Sequence, residues 1–327
     1  MHALDRILDA AFNRAREALR VLEDVYRFGR DDRFAQRRLK RLRHRLSALE
    51  RPRALRLLAA RDATRDVGRG DDLSSRAGLG SIAAANFKRL EEALRSIEET
   101  GPDLRAAAAS LRFDAYEAER AFLPPLLRSS LLDGVRLYVL LDPGWTPRPL
   151  VRVAREAIRG GAEMVQLRMK GRPRSEIRRV ASEIARAARG EGAIFIANDR
   201  FEEGADGVHL GRGDGSIARA RRAMPPEGLV GATTHSIVEA RRARGADYLS
   251  CGPVFATPAK PDLAPRGLSY WKAAVALGAP VFAIGGITAE RLPGLVRRGV
   301  DRIAVGAAVV TRPDVTKAAR SLRRLLP

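Results

Sequence analysis

The sequence has a single cysteine and no long apolar run. Cys251 is the one cysteine among 327 residues, so no disulfide can form within the chain and nothing points to an oxidising compartment. The N-terminus opens into a charged amphipathic pattern instead of the apolar run of a signal peptide, and no stretch approaches the length of a membrane span. We therefore expect a cytoplasmic protein without membrane partners.

Acidic residues are scarce relative to basic ones. The chain has 39 Asp and Glu against 60 Lys and Arg, a formal net charge of +21, and almost all of the cations are arginines spread over both halves. A field of this sign favours anionic partners, which include nucleic acid, acidic membranes and small phosphorylated substrates. Charge alone does not choose among them, and coding composition explains the arginine bias equally well.

The length favours two domains. Residues 1–123 contain almost no strand signal, and their apolar residues recur at helical spacing, as at Leu8, Ala11 and Ala15, which predicts an all-helical domain. The prolines and small polar residues of 124–134 are typical of a linker.

Residues 135–327 alternate short apolar runs with longer segments of helical period, the pattern of a parallel α/β sheet. Eight such runs separated by helices favour a closed (βα)8 TIM barrel over an open sheet. The runs cover residues 137–141, 164–167, 194–197, 207–210, 229–232, 248–251, 281–284 and 302–305.

Polar side chains follow the second, third and fourth runs, where a barrel of this type has its active site. Every second residue at one strand end is polar, namely Gln166, Arg168 and Lys170. Alternate residues of a strand point the same way, so these side chains should lie together. Burying the two cations costs free energy without an anionic partner, and the alternative is that the strand end is solvated. Asp199 and Asp214 follow the next two runs. As hard oxygen ligands they would suffice for Mg²⁺ beside a bound pyrophosphate, and the alternative for each is a helix N-cap.

The loops after the last three runs carry further candidate residues. The proline-rich loop 252–262 contains Thr257 and Lys260, and it either covers a reactive intermediate or is an ordered surface loop. The seventh and eighth runs end in turns at Gly286 and Gly306. Loops after these strands frequently form the phosphate site of the fold, because backbone N–H groups are exposed there.

A series of motifs runs through the barrel half in chain order: Gln-x-Arg-x-Lys, Asn-Asp-Arg, Gly-Ala-Asp-Gly-Val-His-Leu-Gly, Thr-His-Ser, Gly-Ala-Asp-Tyr, Gly-Pro-Val-Phe-x-Thr and Ile-Gly-Gly-Ile. The series closely resembles the thiamine-phosphate synthase family. That resemblance implies a transferase that joins hydroxymethylpyrimidine diphosphate to hydroxyethylthiazole phosphate, with Mg²⁺ required and small phosphorylated molecules as partners. It leaves open whether the chain forms a homo-oligomer.

The resemblance also implies a role for individual residues. Pyrophosphate would be held by Arg168, Lys170, Asn198 and Lys260, Mg²⁺ by Asp199 and Asp214, the pyrimidine by Gln166 and Thr233, and the thiazole phosphate by Thr257, Gly286, Gly306 and Ala307. The family reaction is dissociative: pyrophosphate leaves first, and the thiazole nitrogen captures a pyrimidine carbocation. No side-chain nucleophile is then needed, and His209 and Cys251, within strands, are expected to be buried packing residues.

The sequence departs from the family pattern in four places. Arg212 replaces a glutamine, Ala259 and Ala307 replace hydroxyl residues, and the helix expected between Asn198 and Asp206 is about one turn shorter. These changes would shift Asp214 and leave the thiazole phosphate more dependent on backbone donors. The competing enzyme is a thiazole tautomerase, a barrel relative without the pyrophosphate and metal residues that this chain retains.

The helical half contains an internal echo, in which Arg14-x-x-Glu17-Ala18-Leu19-Arg20 recurs as Arg89-x-x-Glu92-Ala93-Leu94-Arg95. One interpretation is a salt-bridged, solvated surface. The other is a cluster for an anionic ligand, built from Asn13, Arg14, Arg20, Asp62, Asp66, Asn86, Arg89 and Arg95.

This half also resembles the helical module that is fused ahead of the synthase in some bacteria and proposed as an alternative hydroxymethylpyrimidine phosphate kinase. Such a module would make or bind the substrate of the barrel, although no P-loop is present. A different hypothesis is a nucleic-acid or partner-binding module. Interleaved charges, and the lack of a helix-turn-helix, an aromatic platform or a basic tail, argue against nucleic acid.

Overall fold

The computed structural model describes residues 2–62, 78–257 and 263–327. The chain divides into two compact units, Met1–Ser130 and Leu131–Pro327, and each is described below by itself. Across the described residues, no helix is both long and apolar enough to cross a membrane.

The first unit is built from amphipathic helices: α1 (His2–Asp24), α2 (Arg33–Glu50), α3 (Ala54–Ala60), α4 (Gly78–Thr100) and α5 (Arg105–Leu131). A π-helical turn, Val25–Gly29, follows α1, and a 3-10 turn, Arg51–Arg53, precedes α3. The two helices that carry the echo, α1 and α4, pack against each other. Their equivalent residues Leu19 and Leu94 are both buried in the core of the unit. The repeated segments therefore share buried apolar positions as well as charged ones.

Helix α5 corrects the predicted linker at 124–134. It continues through Pro124 and Pro125 to Leu131, and residues 132–136 make the connection to the first strand. Two prolines inside a helix are costly, but Phe122 and Leu126 on this stretch are buried in the helical core. That burial holds the backbone helical, so the composition of the segment was misleading.

The second unit is a closed barrel of eight parallel strands, each hydrogen-bonded to its neighbours in chain order, with the last pairing to the first. The strands are β1 (Leu137–Leu141), β2 (Met164–Leu167), β3 (Ile194–Asn198), β4 (Gly207–Leu210), β5 (Leu229–Thr234), β6 (Tyr248–Cys251), β7 (Val281–Ile284) and β8 (Ile303–Val305). The predicted TIM barrel is confirmed, and the predicted runs differ from the strands by at most two residues at an end.

The barrel helices are α6 (Leu150–Arg159), α7 (Arg174–Gly190), α8 (Ile217–Ala223), α9 (Ile237–Arg242), α10 (Trp271–Val275), α11 (Leu292–Val296), α12 (Ala307–Val310) and α13 (Val315–Arg324). The predicted helix between Asn198 and Asp206 is wrong, because residues 199–206 contain none. Eight residues lead directly from β3 to β4, and Asp206 is fixed by its carboxylate, which accepts from Phe195 N at 2.8 Å. This short loop therefore joins the carboxyl end of β3, beside Asp199, to the amino end of β4, and Asp214 follows the carboxyl end of β4.

Alternate residues of the strands enter two cores, as strand geometry requires. Tyr138, Met164, Ile196, Tyr248 and Phe282 fill the barrel interior. Their neighbours in sequence pack outward against the helices. Because the interior is filled, the open space of the unit lies beyond the carboxyl ends of the strands.

Candidate active site

A cavity of about 540 Å³ lies at the carboxyl ends of β1, β2 and β5–β8. Six of the predicted site residues line it: Arg168, Thr233, Thr257, Gly286, Gly306 and Ala307. The remaining lining is largely apolar and includes Leu140, Trp145 and Ile284. The cavity therefore combines three arginines and several other polar groups with largely apolar walls.

A second cavity, of about 370 Å³, lies at the ends of β2 and β3 and is lined by Lys170, Asn198 and Asp199. Gln166 is 2% exposed, and its Nε2 donates to Asn198 Oδ1 at 3.3 Å. This contact orients the amide of Asn198, whose own Nδ2 then has its hydrogens available for other acceptors.

The carboxylates of Asp199 and Asp214 approach the same point from the ends of β3 and β4. A Cβ atom added to Gly211 would lie 2.6 Å from Asp214 Oδ2 and 3.9 Å from Asp199 Oδ1. Asp214 Oδ2 accepts from Gly211 N at 2.7 Å, and Lys170 Nζ lies 3.0 Å from Asp199 Oδ2. Asp199 has a φ of 64°, in the left-handed region that costs energy for a residue other than glycine.

The two carboxylates have pKa values displaced in opposite directions. Burial, together with a hydrogen bond to Asp214, raises the pKa of Asp199 despite the nearby Lys170 ammonium. For Asp214, burial acts to raise the pKa, but hydrogen bonds from Asp199 and from Gly211 N, with the charge of Lys170, outweigh it and lower the pKa. Of the two carboxylates, Asp199 therefore takes up a proton first as the pH falls.

This pair could hold a divalent cation. Asp199 Oδ1 is buried and accepts no hydrogen bond from any residue that the structure describes. No cluster of three or more His, Cys, Asp or Glu side chains suited to a metal occurs in residues 2–62, 78–257 and 263–327. Two hard oxygen donors with other positions left to water and phosphate suit Mg²⁺ better than a metal that prefers a full protein ligand set.

A chain of hydrogen bonds connects the barrel interior to the larger cavity. Thr233 Oγ1 lies 2.8 Å from His209 Nε2, and His209 Nδ1 lies 3.2 Å from Tyr248 Oη. Tyr248 Oη in turn lies 3.2 Å from Tyr138 Oη. His209 is buried, as predicted, but it is also bonded to a residue that lines the cavity.

Comparison with known proteins agrees with this geometry. Residues 137–309, more than half of the chain, match the thiamine monophosphate synthase family. The chain belongs to the thiamine monophosphate synthase family. A thiamine-phosphate synthase of Gloeobacter violaceus is 39% identical, with 94% of this chain and 93% of that protein covered. A thiamine-phosphate synthase of a Synechococcus strain is 38% identical over 98% of this chain and 96% of that protein.

The barrel of this synthase family member also resembles a solved structure. Thiamine phosphate pyrophosphorylase from Pyrococcus furiosus is 36% identical, with a TM-score of 0.54, and covers 61% of this chain and 96% of its own. Residues 6–121 match a separate family, ThiD2. The full-length relatives therefore extend over both units, whereas the solved structure corresponds to the share of the chain taken by the barrel.

Sequence reasoning missed several residues of this synthase barrel. Asp142, directly after β1, forms an ion pair with Arg168, and its Oδ1 accepts from Gly144 N at 2.8 Å. Trp145, Arg291 and Arg312 also line the larger cavity. Asp142 could have been found by the same rule that found Asp199, since both follow a strand directly.

The remaining residues predicted in the barrel lie away from the two cavities or outside the described residues. Lys260 and Ala259 lie outside the described residues. Arg212, which departs from the family pattern, forms an exposed ion pair with Glu239, with Arg212 Nη2 lying 2.8 Å from Glu239 Oε1. Cys251 is buried beside Thr234, and burial raises the pKa of its thiol.

The helical unit has a cavity of about 580 Å³ between α1 and α4. Of the predicted cluster, Arg14, Asn86 and Arg89 line it, together with Glu17 and Glu92. Asn13, Arg20, Asp62 and Arg95 do not line it, and Asp66 lies outside the described residues. Arg95 pairs instead with Glu98 at 2.9 Å and Glu99 at 2.5 Å, as the salt-bridge interpretation expects.

Proposed function

We propose that this chain joins hydroxymethylpyrimidine diphosphate to hydroxyethylthiazole phosphate, giving thiamine phosphate and pyrophosphate. The observation that carries the proposal is the grouping of Lys170, Asn198, Asp199 and Asp214 at the ends of β2, β3 and β4, next to the cavity that Arg168 lines. The two cations and the amide suit a pyrophosphate, the two carboxylates suit a divalent cation bound beside it, and the neighbouring cavity has room for two heterocycles.

Arg168, Lys170 and Asn198 would bind the pyrophosphate. As the bond from the pyrimidine methylene carbon to the pyrophosphate oxygen breaks, negative charge grows on the leaving group. Cations held in place before the reaction stabilise that charge without reorganising. Asp142 holds Arg168 from one side, and Asp199 lies 3.0 Å from Lys170, so both cations are positioned. Lys260 remains a proposed third cation of the site.

Asp199 and Asp214 would hold Mg²⁺, since Asp199 Oδ1 is buried and accepts no hydrogen bond in the described part of the chain. When bound, the ion supplies further neutralisation of the pyrophosphate charge.

Thr257, Gly286, Gly306 and Ala307 would bind the thiazole phosphate at the other end of the cavity. An added Cβ at Gly286 would lie 2.5 Å from Ala256 O, and at Gly306 it would lie 2.2 Å from Trp145 Cζ3. Glycine is therefore needed at both positions for the backbone to pack against Ala256 and Trp145, which line the same cavity. Gln166 and Thr233 would hold the pyrimidine so that its methylene carbon lies next to the thiazole nitrogen. Formation of the new bond would then depend on this positioning and on no side-chain nucleophile.

Steady-state turnover of Lys170→Ala and Asp199→Ala tests this assignment. Each should lose at least about a hundredfold in kcat/KM, the scale of one charged transition-state contact. Arg178→Ala, an exposed arginine of α7 that lines neither barrel cavity, is the matched control and should retain turnover. Equal activity in all three variants would contradict the assignment of the pyrophosphate site.

We further propose that the helical unit binds a phosphorylated small molecule between α1 and α4. The support is that every lining residue except Asn86 belongs to one of four echo pairs: Arg14 with Arg89, Glu17 with Glu92, Ala18 with Ala93, and Val21 with Ser96. A salt-bridged surface would not require the same positions of both repeats to enclose one cavity. Arginines suit a phosphate, and the glutamates suit amino or hydroxyl donors of the ligand.

Calorimetric titration of hydroxymethylpyrimidine phosphate into the full chain tests the second proposal. Arg14→Ala should weaken binding about tenfold or more, whereas Arg20→Ala, the exposed arginine of the same helix that pairs with Asp24, should not. Equal loss in both variants would indicate attraction by general charge instead of a site. Titration of inorganic phosphate separates recognition of the phosphate from recognition of the ring.

A further inference from the structure

Three buried side chains lie in a line behind Thr233. Tyr138 is 1% exposed, Tyr248 is 0% and His209 is 6%, and their polar atoms are joined by the distances of 3.2, 3.2 and 2.8 Å that end at Thr233 Oγ1. We call these three residues the relay. Phe282 packs edge-on against both tyrosine rings, with centroids 5.5 and 5.6 Å away, and contributes no polar atom.

The direction of each hydrogen bond in the relay follows from the hydrogens that must be placed. Burial raises the pKa of both phenols, so each keeps its hydrogen. Tyr138 Oη contacts only Tyr248 Oη within the described ranges, and a buried hydroxyl that donates to nothing is costly. Tyr138 therefore donates to Tyr248.

The remaining directions are then fixed in turn. Tyr248 accepts from Tyr138, so its own hydrogen goes to its other partner, His209 Nδ1. A neutral imidazole that accepts at Nδ1 carries its hydrogen at Nε2, and Nε2 lies against Thr233 Oγ1. Ser250 Oγ also lies 3.4 Å from His209 Nε2, where it can accept a share of the same N–H, and it donates to Thr233 Oγ1 at 3.5 Å. Thr233 is thus an acceptor toward the barrel interior, and its hydroxyl hydrogen is left for the cavity.

We propose that the relay fixes Thr233 as a hydrogen-bond donor to the bound heterocycle, and that His209 is a positioning residue that acts through Thr233. The proposal rests on the proposed function for the identity of that heterocycle. The site then selects a ring that presents a lone-pair nitrogen at Thr233 and disfavours one that presents an N–H or a C–H there, because two donors would face each other or the hydroxyl would lose its acceptor.

The protonation of the imidazole tests the relay without any turnover. Nitrogen-15 NMR of the whole protein at neutral pH should show His209 with a bare Nδ1 and a protonated Nε2, and the signal is assigned by its loss in His209→Gln. The opposite tautomer, or a doubly protonated ring, would overturn the proposal. Because this result does not depend on substrate, a protein with the expected tautomer but no synthase activity would refute the proposed function and leave the relay standing.

Steady-state kinetics of matched variants test whether the relay contributes to pyrimidine binding through Thr233. Tyr248→Phe and His209→Leu should raise the KM for the pyrimidine diphosphate by about 3- to 10-fold, the scale of one net hydrogen bond, with the KM for the thiazole phosphate unchanged. His209→Gln can donate from its amide and should recover part of the loss. Phe282→Leu disturbs the same packing without a polar change and should lower Tm but leave the tautomer and both KM values. A pyrimidine KM raised equally by Phe282→Leu would overturn the positioning role.

Discussion

Asp142 at the end of β1 forms an ion pair with Arg168 at the end of β2. The Asp142 carboxylate also accepts a hydrogen bond from Gly144 N at 2.8 Å. Because this bond fixes the carboxylate, the carboxylate in turn fixes the position of the Arg168 guanidinium. Asp142→Asn should lower kcat/KM for the pyrimidine diphosphate by about tenfold, because a charge-assisted contact that positions Arg168 is lost. Steady-state kinetics with the thiazole phosphate saturating measures this.

The matched control for that prediction is Asp133→Asn, an exposed carboxylate of the same unit. It should leave kcat/KM within about twofold, as expected of a surface charge. An Asp142→Asn enzyme that is as active as this control would contradict the positioning of Arg168 by Asp142.

Asp199→Asn should stabilise the metal-free protein while abolishing its response to Mg²⁺. The pKa of Asp199 is raised in the folded protein, so its ionised form costs stability at every pH above the unfolded pKa, and a neutral isostere removes that cost. Asparagine, like aspartate, is one of the few residues that tolerate the positive φ of this position. We expect a Tm rise of about 2 °C without Mg²⁺.

Thermal denaturation with and without Mg²⁺ checks both halves of this prediction. Wild-type protein should gain Tm with Mg²⁺, and the gain should shrink as pH falls through the raised pKa of Asp199, because protons then compete with the cation. Asp206→Asn is the control, since its pKa is also raised by burial but it lies away from the pair. A variant Asp199→Asn that still gained Tm with Mg²⁺ would place the cation elsewhere.

Gly306→Ala should displace Trp145 from the wall of the larger cavity. The new methyl group would lie 2.2 Å from Trp145 Cζ3, a distance that only movement of the ring can relieve. We expect a stability loss of about 1–3 kcal/mol and a higher KM for the thiazole phosphate. Trp145→Ala makes room for the new methyl group, so Gly306→Ala should reduce stability less in that background than in wild type. Strictly additive losses of stability from the two substitutions would argue against the clash.

Leu126→Ala should destabilise the helical unit by about 2–5 kcal/mol, because its side chain is buried in the core within the stretch predicted as a linker. Leu127→Ala, one residue on and 40% exposed, should cost less than about 1 kcal/mol. Urea denaturation followed by circular dichroism compares the two, and equal small losses would mean that this turn does not belong to the helical core.

The strands could be read from the sequence because each is a run of apolar residues that enters two cores at once, and the strand ends then pointed to Gln166, Asp199 and Gly306. The linker could not be read correctly, since prolines bias only the local backbone and Leu126 is held by distant helices. The same limit applies to the echo. Periodicity gave the charged stripes, but only packing decides that Arg14 lines a cavity while Arg95 pairs along its own helix.

The most direct test of the account is identification of the products from the purified full chain by mass spectrometry and phosphorus-31 NMR. With hydroxymethylpyrimidine diphosphate, hydroxyethylthiazole phosphate and Mg²⁺ present, thiamine phosphate and pyrophosphate should appear in equal amounts, and omission of any of the three should prevent both. Folded protein that forms neither, or that only isomerises a thiazole phosphate without releasing pyrophosphate, would contradict the account and favour a tautomerase.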